Sequence, residues 1–95
     1  MAIKEAVHLY EEAFQKIIEA NEILGLNGIE LCGVYLKDVL EVHVYENIEK
    51  IIKELNLDVG FLNLDDETYP VKAIAEKGDI RFFELGRLEN GIFKG

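Results

Sequence analysis

Apolar residues near the start of the chain recur at steps of three and four positions. Over residues 3–24, this spacing, with charged residues between, predicts an amphipathic helix. The apolar positions are Ile3, Ala6, Val7, Tyr10, Phe14, Ile17, Ile18 and Leu24. Gly25 is placed to end this helix in the left-handed conformation, and Asn27-Gly28 predicts a turn. We interpret the stripe as a core surface, and its acidic polar face disfavours a membrane-surface role.

Over residues 29–45 the period changes to two, which predicts a β-hairpin. With Lys37-Asp38 as a two-residue turn, the core face pairs Leu31 with Val44, Gly33 with Val42, and Tyr35 with Leu40. The opposite face pairs Cys32 with His43, Val34 with Glu41, Leu36 with Val39, and Glu30 with Tyr45. This turn lacks an Asn-Gly signal, and a one-residue change in loop length would move every side chain to the other face.

The pattern returns to a helical period after this hairpin. Asn47 is placed to cap a second helix that ends near Asn56 and carries an apolar stripe at Ile48, Ile51, Ile52 and Leu55. Phe61, Leu62 and Leu64 are compatible with a short strand, and residues 65–68 with an acidic loop before Pro70. This middle segment has no clean period of its own.

A second hairpin is predicted from residues 71–76 and 79–85, joined across Lys77-Gly78. Its core face pairs Ala75 with Ile80 and Ala73 with Phe82. The other face carries Lys72, Ile74, Arg81, Phe83 and Leu85. Asn90-Gly91 is the strongest hairpin signal in the chain and predicts a short terminal strand.

These elements predict a single α+β domain over residues 1–95, in the order helix, hairpin, helix, hairpin, with a mainly antiparallel sheet of four or five strands. Both hairpins also carry apolar side chains on the face opposite their predicted core. Both faces of the sheet must therefore be covered. Either the helices lie on opposite faces, or both cover one face and a second subunit covers the other. We therefore expect a homodimer formed by the exposed side of the first helix or by Val34, Leu36, Ile74, Phe83 and Leu85.

Charge and composition restrict the partners. The net charge is −9, with 10 basic against 19 acidic residues, and no basic cluster that would bind a phosphate backbone. We expect a protein partner with a basic surface rather than nucleic acid, although the same charge also serves solubility. No apolar run reaches the length of a membrane span, and the lone cysteine cannot form an internal disulfide. A cytoplasmic location is the expectation.

Cys32 and His43 are the one pair that suggests chemistry. Directly opposed side chains on a hairpin would allow the imidazole to activate the thiol, with Glu41 or Glu30 orienting the histidine. Against catalysis, a flat strand face offers no pocket, the chain has no serine, and no nucleotide or metal motif occurs. We predict no cofactor and no metal. A non-enzymatic interaction protein is favoured, and the alternative is a small enzyme or small-ligand binder that uses Cys32 and His43.

Two segments carry a resemblance to known proteins. They are the run Val42-His43-Val44-Tyr45 leading into the helix at Ile48–Leu55, and the run from Gly78 to Leu85. Together they resemble small uncharacterised proteins of bacterial phages and prophages, over about half of the chain. The resemblance implies an accessory protein of a phage or mobile element without an assigned activity, and it carries over no functional residue.

Overall fold

The computed structural model describes residues 2–95, which form two helices and a mixed sheet of six strands. The helices are α1 (Ile3–Leu26) and α2 (Ile48–Leu55). The strands are β1 (Glu30–Leu36), β2 (Leu40–Glu46), β3 (Gly60–Asn63), β4 (Val71–Lys77), β5 (Ile80–Glu89) and β6 (Ile92–Lys94). The α+β class is confirmed, whereas the sheet has more strands than the predicted four or five.

The sheet has the strand order β1-β2-β5-β4-β3, and β6 pairs with β5. Four of the strand pairs are antiparallel, but β2 and β5 run parallel, with Leu40 beside Ile80 and Val44 beside Glu84. The predicted hairpins are therefore joined in the middle by a parallel pair. The crossover from β2 to β5 contains α2, β3 and β4, which provides the long connection that neighbouring parallel strands require.

The first hairpin has a loop of three residues, Lys37 to Val39, instead of the predicted two. Leu36 consequently pairs with Leu40, Val34 with Val42, and Gly33 with His43. The predicted pairs of Val34 with Glu41 and Cys32 with His43 are wrong. A bulge at Cys32 absorbs one residue, so that Leu31 pairs with Val44 as predicted.

The second hairpin is shifted by two residues from its predicted register. Its turn is Gly78-Asp79, so Ala75 pairs with Phe82 and Ala73 with Glu84. Because side chains alternate with a period of two, this shift leaves every residue on its predicted face. The terminal turn is confirmed: Asn90 and Gly91 both have positive φ, and Glu89 pairs with Ile92.

Both helices lie on the same face of the sheet. Ile48 and Ile51 of α2 pack with Val42, Val44 and Ala73 in the core cluster. The last turns of α1 border a groove with Val34, Val42 and Phe82, which belong to that same face. Among residues 2–95, no helix covers the other face, which we call the open face.

The helix ends differ from prediction in two respects. Gly25 lies inside α1, and Gly28 is the glycine with positive φ, at 77°. Asn47 precedes α2 but makes no side-chain cap, because its amide donates to the carbonyl of Gly28 at 2.6 Å. The predicted end of α2 is confirmed, with Asn56 in the left-handed conformation.

The largest correction concerns α1. Its stripe was expected to be core, yet none of its 24 residues is buried. Every residue from 2 to 16 is exposed, and only the C-terminal turns approach the sheet. The molecule is accordingly elongated, with extents of 55 × 29 × 22 Å. We call residues 3–14 the free half of α1.

Candidate functional site

A stack of three side chains crosses the middle of the open face. The rings of His43 and Phe83 lie 4.4 Å apart with an angle of 16° between their planes, because these residues are neighbours across the parallel β2–β5 pair. The ammonium of Lys72 lies 4.3 Å from the centre of the Phe83 ring. Burial lowers the pKa of His43, and the nearby charge of Lys72 lowers it further.

A charge cluster occupies one end of the same face. Arg81 donates to Glu41 at 3.0 Å and to Glu76 at 3.2 Å, and Lys37 lies 3.1 Å from the other oxygen of Glu41. The bonds from Lys37 and Arg81 lower the pKa of Glu41. Glu41 is thus held as a structural anion. It is not available to orient His43, although the sequence suggested that role.

His43 also borders a cavity at the other end of the open face, together with Cys32. Cys32 is the bulged residue of β1 and is exposed, so it does not face His43 directly. Both nevertheless line one open cavity of about 230 Å³. The cavity is completed by Val44, Tyr45, Glu46, Tyr69, Leu85 and Gly95. The flat strand surface expected from the sequence is therefore a shallow concavity at this end.

The cavity does not assemble a recognisable catalytic group. No hydrogen bond to the His43 ring is present among the described residues, and Glu30, the other suggested orienting residue, pairs with Glu46. Across residues 2–95, no group of three or more His, Cys, Asp or Glu side chains is arranged to hold a metal ion. The arrangement can admit a small molecule and presents a thiol to solvent.

The five predicted interaction residues are divided between the two faces. Ile74, Phe83 and Leu85 lie on the open face as expected. The one-residue change in the first hairpin moves Val34 and Leu36 to the helix face. Phe83 is 8% exposed because His43 and Lys72 cover its ring, so the open face offers less apolar surface than the sequence indicated.

The free half of α1 is the more prominent apolar surface. Ile3 is 84% exposed, Val7 49%, Tyr10 73% and Phe14 60%, and all four follow one side of the helix. The exposed side of this helix was one of the two surfaces predicted to form a homodimer. Its periodicity was the correct signal, but periodicity alone does not distinguish a stripe that meets its own core from one that meets another chain.

A buried acid on the helix face was not recognised from the sequence. Glu84 is 2% exposed, and its Oε1 accepts the backbone N–H of Ile48 at 2.9 Å. Burial raises the pKa of Glu84, while the bond from Ile48 acts in the opposite direction. Glu84 therefore caps α2 in place of Asn47, and its role is structural.

The comparisons with known proteins do not narrow the function. The chain matches no protein-family model, no curated protein and no solved structure at a significant level. Within residues 2–95, neither helix has the length and apolarity needed to cross a membrane.

Proposed function

We propose that this protein is a small, acidic, non-enzymatic protein-interaction module whose docking element is the free half of α1. The observation that carries this proposal is the line of four large apolar side chains, Ile3, Val7, Tyr10 and Phe14, which are exposed among the described residues. Exposed apolar patches of this kind are typical of sites where another protein binds. An amphipathic helix laid into an apolar groove is a common mode of recognition.

The energetics of the helix support the same proposal. Isolated helices shorter than about 12–15 residues are marginal in water, because nucleation is costly and tertiary packing usually supplies the stability. The free half of α1 is the N-terminal part of a helix of 24 residues, and it receives no packing from the described residues that would keep it from fraying. A partner that covered Ile3, Val7, Tyr10 and Phe14 would provide it.

Charge supports a partner with a basic surface. The chain carries −9 in total, and α1 itself contributes Glu5, Glu11, Glu12, Glu19 and Glu22 against Lys4 and Lys16. Association with a basic surface is faster at low salt, because salt screens the attraction between exposed charges. At physiological ionic strength this screening shortens the reach of an exposed charge to about 8 Å. The proposal includes a cytoplasmic location and no direct binding to nucleic acid or membrane. The resemblance to phage and prophage proteins makes a host protein the partner that we propose.

A pair of matched variants tests the docking element. Tyr10→Glu with Phe14→Glu places two charges on the apolar line. Leu9→Glu with Gln15→Glu adds the same two charges to the same exposed turns, away from that line. Wild type and both variants serve as bait at low and high salt, and any captured protein is then purified and titrated. We expect binding to be lost only with the first variant. Equal binding by all three proteins would refute the proposal.

The cavity beside Cys32 favours a second candidate function, a small-ligand binder or enzyme. The supporting observation is that Cys32 and His43 line the same concavity. The test is the rate of alkylation of Cys32 by a small reagent at neutral pH, compared with a His43→Ala variant. A rate that falls at least tenfold in the variant would support an activated thiol. An unchanged rate would leave Cys32 as an ordinary exposed thiol and count against this candidate.

A further inference from the structure

We propose that the free half of α1 binds the same segment of a second copy of this chain, with the two helices antiparallel. This inference rests on the proposed function and names a second copy of the chain, not the basic partner, as the occupant of the apolar line of the docking element. The acidic polar face of α1 stays outside this contact and remains free for a basic partner. The inference is carried by the order of side chains along the helix, by the charges on its flanks and by the length of helix that stays clear of the sheet.

The apolar line has the spacing of a coiled-coil seam. Ile3, Val7, Tyr10 and Phe14 are separated by four, three and four residues, which corresponds to the d and a positions of a heptad. In an antiparallel pair, Ile3 lies opposite Phe14 of the second copy, and Val7 opposite Tyr10. Every layer then joins one aromatic to one aliphatic side chain. A parallel pair would join each residue to itself, giving two bulky aromatic layers beside two small ones, which fill space less evenly.

The flanks of the seam fit the same orientation. One flank carries Ala6 and Ala13, and the other carries Lys4 and Glu11. Antiparallel pairing brings Ala6 beside Ala13 of the second copy, where small side chains permit close approach of the backbones. It also brings Lys4 beside Glu11 of the second copy, and symmetry repeats this ion pair. A parallel pair would instead set the alanine flank against the charged flank, with no ion pair across the seam.

The extent of the contact is limited by the fold. Ile17 and Leu24 are half-buried against the sheet of their own chain, so the pairing is confined to residues 3–14. That segment is about 18 Å long at 1.5 Å per residue. In an antiparallel pair of this length, Ile17 lies beyond the end of the seam, and the two sheets lie at opposite ends of the helix pair.

The size of the contact predicts a reversible dimer. Tyr10 and Phe14 each bring about 150–250 Å² of surface. When Ile3 and Val7 are included, the two copies together bury roughly 1,000 Å² of surface. This is about the smallest buried area expected of a specific protein–protein interface. We therefore expect dissociation in the micromolar range rather than an obligate dimer, which would bury at least twice that area.

Sedimentation of the purified full chain over roughly 1 µM to 1 mM tests whether a second copy of the chain binds the free half of α1. We expect wild type and the Leu9→Glu, Gln15→Glu control to dimerise alike, and Tyr10→Glu with Phe14→Glu to weaken association at least about 100-fold. Circular dichroism verifies that all three are folded. A wild type that stays monomeric throughout would overturn this inference, whereas the docking proposal would fail only if no protein at all required Tyr10 and Phe14. Dimerisation equal in all three proteins would also overturn it.

Crosslinking tests the orientation. In a Cys32→Ala background, Ala6→Cys and Ala13→Cys are placed in separate copies, mixed and treated with a short bismaleimide. Antiparallel pairing predicts that the mixture crosslinks efficiently and that Ala13→Cys alone does not, because its two thiols lie about 13 Å apart along the axis. A parallel pair would instead bring Ala6 beside Glu11 of the second copy, so efficient crosslinking of Ala6→Cys with Glu11→Cys, and not of Ala6→Cys with Ala13→Cys, would contradict the proposal.

Discussion

Glu84 and Ile48 are joined by a hydrogen bond in which a carboxylate from the middle of a strand caps a helix. The N–H of Ile48 donates to Glu84 Oε1 at 2.9 Å, at the first position of α2. The bond fixes α2 against β5 and satisfies a donor that the helix itself leaves unpaired. It also places an ionisable group in the core. Burial makes the charged form of Glu84 costly and therefore raises its pKa.

Two substitutions of Glu84 distinguish the effect of its hydrogen bond to α2 from the effect of its buried charge. Glu84→Ala removes the acceptor, and we expect it to lower the free energy of unfolding by about 1–2 kcal/mol. Glu84→Gln keeps an acceptor without the charge. The raised folded-state pKa means that wild-type stability decreases as pH rises from 4.5 through that pKa. We therefore expect the free energy of unfolding of Glu84→Gln, relative to that of wild type, to increase as pH rises over this window.

Urea unfolding at several pH values measures this effect. Glu54→Gln, on the exposed side of α2, is the matched control. If the stability of Glu84→Gln relative to that of wild type stays constant or falls as pH rises, the assignment is contradicted.

The stack of His43, Phe83 and Lys72 predicts a second pH effect. Burial and the charge of Lys72 lower the pKa of His43 below 6.5, so its contribution to stability is lost as pH falls through the window below 6.5. Lys72→Met removes the charge, and we expect the pKa of His43 to rise. Titration of the imidazole protons by NMR measures it, with Lys53→Met on the exposed side of α2 as control. An unchanged pKa of His43 in Lys72→Met would show that Lys72 exerts no effect on the ring.

Gly86 is required where the end of β6 closely approaches β5. A methyl group at this position would contact the carbonyl of Lys94 and the ring of Phe93. We expect Gly86→Ala to destabilise the protein by about 1–3 kcal/mol, because backbone cannot yield as a flexible side chain does. Gly60→Ala is the control, since no atom lies within 4 Å of its added methyl, and its effect should stay within about 0.5 kcal/mol. Equal stability of the two variants, measured by thermal unfolding, would refute this explanation.

The sequence predicted element types well and registers less well, for a definite reason. In the second hairpin an error of two residues was harmless, so Ala73, Phe82 and Phe83 lie on their predicted faces. In the first hairpin an error of one residue moved Val34 and Leu36 to the opposite face. The loop at Lys37 has no Asn-Gly signal to fix its length, and Cys32 carries no local mark of a bulge.

The candidate site was less predictable than the fold. The shared cavity of Cys32 and His43 arises because Tyr69 and Gly95, distant in sequence, complete its wall. The exposure of Tyr10 and Phe14 depends on where α1 leaves the sheet, and helical periodicity is identical whether a stripe meets its own core or another chain. Glu84 was missed because its partner Ile48 lies 36 residues away.

Backbone hydrogen exchange in the free half of α1 tests most directly whether a second copy covers it. In a monomer these amides belong to the unpacked N-terminal half of α1, which frays and opens readily. If a second copy covers the seam, protection of residues 3–14 rises as protein concentration increases from about 1 µM to 1 mM, while protection in β2 and β5 stays constant. Protection of residues 3–14 that is the same at every concentration would contradict the account.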